Sequence, residues 1–291
     1  MSTQDGTHPW LVRVAPALFV LVWATGFVVA KFGLPYAAPL SFLSMRFILT
    51  LAVLLPLILF ARATWPSRRD GWLLVVAGIL VHAGYLGGVW CAIKMGMPAG
   101  VSALIVNLQP IVTAGFGPWL GERVRPRQWF GLALGLAGVT MVIAHRLGLA
   151  GMSWASVALS VMSLFSITLG TVFQKKYVSS FDLRTGTFIQ YVAALAVIWP
   201  LSLWLENEPF QWGGELIFAF AWSVLALSIG AIFLMYGLYR RGAATRVASL
   251  FYLVPPCTVA MVWLLFGEAP GWFAMIGMGV TALGVALVQR K

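Results

Sequence analysis

The side chains able to do chemistry are few and stand far apart in a very apolar chain. His82 and Tyr85 are three residues apart, with Gly78 one turn before them, so a helix puts all three on one face. Trp23 and Arg46 each stand alone in long apolar runs. Asn107 and Gln109 precede Pro110, Tyr252 precedes Pro255-Pro256, and Gln190 lies with Thr187 and Ala194 in a later run. Together these offer one guanidinium, one imidazole, neutral amides and aromatic faces, which recognise a small molecule but do not make or break bonds. Catalysis within such runs would need paired acids, a His-Glu cluster or a Ser/His pair at one depth. The acids Asp5, Asp70, Glu122, Asp182, Glu206, Glu208, Glu215 and Glu268 all fall outside the apolar cores. Cys91 and Cys257 have neither zinc-ligand spacing nor a disulfide framework. An enzyme is not expected, and no catalytic residue, metal or cofactor is expected either. A channel is disfavoured too, because no ring of like charges and no carbonyl-filter motif occurs.

Each of these residues also has a purely structural reading. His82 could be a packed histidine bonded to a carbonyl, and Trp23 a packing residue. Arg46 either holds a carboxylate at a cavity mouth or clamps two helices together. Asn107 and Gln109 point about 200° apart on a helix, so only one of them is expected to face a cavity. Ser163, Ser166 and Gly170 share a face that is either a packing seam or a polar wall.

These side chains need elements to hold them, and the composition says which. Of 291 residues 61% are apolar and 9% charged, against about 25% charged in a soluble domain. That excludes an ordinary soluble enzyme and a disordered chain. Ten runs are long enough, or nearly so, to cross a bilayer: Arg13–Gly33, Pro39–Phe60, Gly71–Ile93, Pro98–Leu120, Gln128–Ala144, Ser153–Phe173, Leu183–Leu205, Leu216–Tyr239, Ala243–Phe266 and Trp272–Val288. Their continuity excludes the alternation of barrel strands. The first run carries no small-x-small cleavage site, so it reads as a span and not as a signal peptide. The expectation is an all-α integral membrane protein of ten helices. With the amino terminus in the cytoplasm, fifteen of the nineteen Lys and Arg fall on the cytoplasmic side. Only Lys31, Lys94 and Arg146 fall outside, and Arg46 lies within a span. That asymmetry predicts both termini, through Lys291, in the cytoplasm. It also explains the net charge of +11 as topology, so no nucleic-acid partner is expected.

The sequence repeats near its midpoint. Leu51-Ala52-Val53-Leu54-Leu55-Pro56-Leu57 aligns with Leu195-Ala196-Val197-Ile198-Trp199-Pro200-Leu201 at an offset of 144, as do Gly26 with Gly170 and Lys31 with Lys175. Further on the offset is 146, pairing Gly84 with Gly230, Pro110 with Pro256, Gly121-Glu122 with Gly267-Glu268, Gly131 with Gly277 and Gly138 with Gly284. Five helices per half is an odd number, so the second copy enters the membrane from the opposite side, and the loop charges after Glu122 and Glu268 differ accordingly. Inverted repeats characterise secondary transporters that alternate access to a midplane site.

Trp23-Ala24-Thr25-Gly26-Phe27, Arg46, the stretch from Pro110 to Gly121-Glu122 and its twin from Pro256 to Gly267-Glu268 resemble two EamA domains of the drug/metabolite transporter superfamily. The resemblance covers nearly the whole chain. It implies two repeats, residues 13–146 and 153–289, in a carrier of the bacterial inner membrane that exports small metabolites. Its look is nearest to amino-acid exporters of the YddG type, aromatic or other neutral amino acids being the substrates so implied, with hydrophobic-cation export as the alternative. Ile167 stands where the first half has Trp23, a departure from the pattern. The expected substrate-binding set is Trp23, Arg46, His82, Tyr85, Gln109, Gln190 and Tyr252, with Pro110, Pro255 and Pro256 as hinges. The expected partners are a small-molecule substrate and the lipid bilayer, with a monomer favoured. The glycine-rich helices five and ten are expected to be scaffold.

Overall fold

The structure, a computed structural model, describes residues 9–97, 102, 105–143, 153–178, 181–266 and 271–290. Arg146, Gly267-Glu268, Lys291, the first residues of the fourth run and the side chains of Arg13 and Lys31 lie outside what is described. The elements are α1 (Pro9–Gly33), α2 (Pro39–Phe60), α3 (Arg68–Lys94), α4 (Gln109–Gly115), α5 (Pro126–Ile143), α6 (Trp154–Tyr177), α7 (Leu183–Leu205), α8 (Gly214–Arg241), α9 (Ala244–Ser249), α10 (Val254–Phe266) and α11 (Trp272–Gln289). No strand occurs among the described residues. Seven helical stretches there are long and apolar enough to cross a membrane, and α1 holds a shorter apolar stretch, Val14–Gly26.

The chain is apolar outside as well as inside. Phe60, Leu203, Leu264 and Leu283 are exposed, a large cost in water and none in lipid. Trp65, Trp72, Trp154, Trp204, Trp212 and Trp272 are exposed at or just beyond helix ends, where an amphipathic ring suits the membrane–water boundary. The helix starts are fixed by side-chain acceptors. Glu206 accepts from Leu40 N at 2.9 Å and from Ser41 N at 2.7 Å, capping α2. Ser153 and Ser156 form a reciprocal capping box on α6, and Asp182 caps α7.

Helices α3 and α8 are not plain α-helices. Ile79–Gly87 and Ser223–Ala231 are wound as π-helix. The two segments lie 144 residues apart, in corresponding helices of the two halves. This corrects the expectation that His82 and Tyr85 share a face by α-helical spacing. In the π turn the angle between them is wider, and both reach the interior because α3 is enclosed by α2, α6 and α7. The turn at Asn107 and Leu108 interrupts the helix immediately before Gln109-Pro110, and the 3₁₀ turn Leu250–Leu253 separates α9 from α10 immediately before Pro255-Pro256. The prolines thus follow breaks in their helices.

Glycines set the tightest crossings. A Cβ on Gly78 would stand 2.5 Å from Gln190 Cα, so α3 and α7 cross backbone to backbone. Ser166 fills the space beside Gly84, Ser163 that beside Gly88, and Val81 that beside Gly170. The Ser163–Ser166–Gly170 face is therefore a packing seam between α6 and α3. Helices α5 and α11 interlock through Gly131 against Gly284 O and Gly138 against Gly277 O, each 2.8 Å from the place of a Cβ.

Candidate functional site

A cavity of about 140 Å³ lies between the halves. It starts near the middle of α3 and extends toward Leu34 beyond α1 and Ile93 near the end of α3. Its lining comes from α1–α4, α7, α8, the turn before α10 and α10 itself, and none comes from α5, α6 or α11. The two glycine-locked helices thus lie outside it.

Of the seven residues expected to bind substrate, five line this cavity: Trp23, Arg46, His82, Tyr85 and Gln109. Arg46 is buried, and its Nε donates to Ser228 Oγ at 2.8 Å. The Tyr191 hydroxyl, which donates to Ser228 O at 3.4 Å, sits beside the same guanidinium. Arg46 therefore clamps α2 to α8 through a hydroxyl and faces the cavity at the same time, joining both readings of its role. Trp23 packs edge-on against Phe251 with ring centres 5.2 Å apart, so its ring is a wall of the cavity. His82 stacks on Tyr191 at 4.3 Å, and its Nε2 lies 3.4 Å from Gln190 Oε1. Asn107 and Gln109 both line the cavity, contrary to the helical-wheel expectation, because residues 107 and 108 have left the helix. Both amide atoms of Gln109 are buried without a hydrogen-bond partner.

The structure places the other two elsewhere. Gln190 is one layer behind the cavity wall, where its Oε1 accepts from Tyr236 OH at 2.6 Å and its Nε2 donates to Gln174 Oε1 at 2.6 Å. It positions His82 and does not reach the cavity. Tyr252 is fully buried and packs its ring onto Gly135 of α5, where a Cβ would stand 2.5 Å from Cδ2. The turn before Pro255 rotates it away from the cavity and brings Phe251 in. The aromatic lining that single-residue reasoning missed is Phe42, Trp90, Tyr191 and Phe251. Tyr191 carried a usable signal: it is the repeat twin of Phe47, and the two rings meet at 5.2 Å beside His82.

Beyond this layer a second cavity of about 200 Å³ lies among Gln174, Lys175, Tyr236, Tyr239 and Arg240. Lys175 Nζ donates to Tyr239 O at 3.1 Å and to Gly242 O, and lies 3.5 Å from Glu122 Oε1. Glu122 Oε1 also accepts from Ala244 N at 2.9 Å, capping α9. One ion pair thus ties the loop after α4 to the ends of α6 and α8 and the start of α9. Among the described residues no group of His, Cys, Asp or Glu could hold a metal ion.

A bundle of apolar helices around a small aromatic cavity, with one guanidinium, one imidazole and no acid among its described lining residues, defines a membrane protein that handles a small molecule inside the bilayer. The sequence profile of the EamA-like transporter family matches residues 14–144 and 153–290. The chain belongs to that family, within the drug/metabolite transporter superfamily; it is a multi-pass membrane transporter and not an enzyme. It is 32% identical over 279 residues to a "Probable amino-acid metabolite efflux pump" of Salmonella typhimurium, across 92% of this chain and 89% of that protein. A protein of the same name in Escherichia coli is 30% identical over 279 residues, with the same shares. An "Uncharacterized transporter YvbV" of Bacillus subtilis is 26% identical over 278 residues, across 94% and 90%. A solved crystal structure superposes with a TM-score of 0.80 at 20% identity, covering 95% of each chain, and shows the fold alone.

Proposed function

We propose that the protein is an alternating-access exporter of small carboxylate-bearing metabolites, in the first place neutral and aromatic amino acids, across the bacterial inner membrane. The single observation that carries this reading is the cavity: it combines aromatic walls with one buried guanidinium, Arg46, and is closed toward one membrane face by the hydrogen-bonded Gln190–Tyr236–Gln174 layer. The charge asymmetry of the loops supports ten spans with both termini in the cytoplasm. On that topology the closed face is cytoplasmic and the cavity opens outward. The repeats, residues 13–146 and 153–289, are read as inverted copies, a reading supported by the twin π segments in α3 and α8 and by the twin interruptions before Pro110 and Pro256. The prolines of these interruptions are the natural hinges for opening the closed face. The amino-acid reading is also supported by the two relatives named as amino-acid metabolite efflux pumps.

The test is counterflow of radiolabelled phenylalanine, tryptophan, leucine and alanine in proteoliposomes of the purified full chain. Saturable, stereoselective exchange is expected, strongest for the aromatic pair. Linear, non-saturating flux would indicate a pore, and no flux for any of the four would reject amino-acid export.

A further inference from the structure

Arg46 brings a full positive charge into the cavity, and the structure provides nothing negative beside it. Its recorded hydrogen bond goes to the neutral Ser228 hydroxyl, and no ion pair involves it among the described residues. Among the described residues no Asp or Glu lines the cavity. The opposing observation is Gln109, 1% exposed, which lines the same cavity with both its amide donor and its amide acceptor unmatched. Unmatched polar atoms so deeply buried call for a ligand group of matching polarity. A zwitterionic amino acid presents two charges, but this cavity answers only one of them.

We infer that the cavity recognises aromatic monocarboxylates as anions: Arg46 takes the carboxylate, Gln109 takes a neutral donor–acceptor group, and the α-ammonium of an amino acid meets no opposite charge and is dispensable. This rests on the exporter reading and narrows its substrate class. Deaminated aromatic acids and N-acylated amino acids fit at least as well as the parent amino acids. An N-acyl amide offers Gln109 one donor and one acceptor without a second charge. The ring lies against Trp23, Phe251 and Phe42. The planar guanidinium suits a bidentate carboxylate, and apolar walls keep its field from being screened. A cation held about 6 Å from the guanidinium at an effective dielectric near 20 is disfavoured by roughly 100-fold. The same charge therefore weighs against hydrophobic-cation export.

The experiment compares five probes on the purified full chain: phenylalanine, 3-phenylpropionate, N-acetylphenylalanine, phenethylamine and tetraphenylphosphonium. Binding is measured by competition with radiolabelled phenylpropionate, by direct titration for the two cations, and by counterflow in proteoliposomes. Phenylpropionate and N-acetylphenylalanine should bind as tightly as phenylalanine or more tightly, and both cations about 100-fold more weakly. Arg46→Gln should lose all three carboxylates together and narrow the gap to phenethylamine, while Arg46→Lys keeps the order. Because Arg46 also clamps α2 to α8, thermal unfolding of each variant is recorded, and the probe order on the unaltered chain decides the matter if a variant does not fold. Phenylalanine binding ten-fold tighter than phenylpropionate would reveal an ammonium partner and overturn the inference, as would cation binding equal to that of the acids or no binding by any probe. Carboxylate binding in this order without counterflow would leave the inference standing and remove the exporter reading instead.

Discussion

Replacing Gly78 with alanine adds one carbon at the crossing of α3 and α7. The new Cβ meets backbone: Gln190 Cα at 2.5 Å and Gln190 O at 2.6 Å. Ordinary contact begins near 3.4 Å, so the two helices must part by about 0.9 Å. A side chain could rotate aside, but a backbone held in two helices cannot. Overpacking of this kind costs about 1–3 kcal/mol. The displacement also draws Gln190 from His82, a contact already long at 3.4 Å. For a chain of this size each kcal/mol lowers the melting temperature by about 2–4 °C, which gives an expected drop of about 2–12 °C. The assay is thermal unfolding of the purified protein in detergent, with Gly279→Ala and Gly237→Ala as controls. Nothing lies within 4 Å of a Cβ at either control position, so both should melt at or slightly above the parent temperature. If Gly78→Ala melts within about one degree of Gly279→Ala, the α3–α7 crossing is not the tight backbone contact described here, and the link from Gly78 to His82 falls with it.

Further outcomes follow from the same geometry. Gln190→Leu leaves His82, Gln174 and Tyr236 without their shared partner in a buried layer; a loss of about 2–5 kcal/mol is expected by thermal unfolding, and an unchanged melting temperature would show that water replaces the amide. Glu122→Gln keeps an acceptor for Ala244 N but removes the charge facing Lys175, so a loss of about 1–2 kcal/mol is expected, together with faster labelling of a cysteine placed at Thr171. The Arg184 hydrogen bond holds the Asp182 carboxyl below its ordinary value of 3.8. Its contribution is therefore present above that pH and is lost as pH falls through the lower folded value. Asp182→Asn should flatten this acid limb of a melting-temperature-versus-pH profile, and an unaltered limb would contradict the pairing.

The helical membrane class was legible from run length and charge alone, because lipid demands long apolar segments and tolerates no unpaired backbone. Five of the polar or polar-tipped residues that line the cavity were legible for a related reason: a histidine or arginine deep in a span must face something other than lipid. The aromatic remainder was not. Phe42 and Phe60 look alike in sequence, yet one lines the cavity and the other is exposed. A lipid-facing and an inward-facing side chain can be equally apolar, so no hydrophobic stripe separates them. Tyr252 was misplaced because the 3₁₀ turn at 250–253 alters the rotation assumed for a continuous helix. The π segments left no trace in composition, since they redistribute backbone hydrogen bonds without requiring particular side chains.

The interlocked glycines of α5 and α11 have a geometric consequence. Gly131 opposes Gly284, and Gly138 opposes Gly277. The internal repeat makes Gly131 the twin of Gly277 and Gly138 the twin of Gly284. Each contact is therefore the image of the other, as in the isologous interface of a two-fold dimer. Such an interface straddles its own symmetry axis. In the alternating-access exchange proposed above, a contact lying on that axis maps onto itself and has no reason to open. The α5–α11 seam is in this sense a fulcrum: a line that the internal repeat carries onto itself.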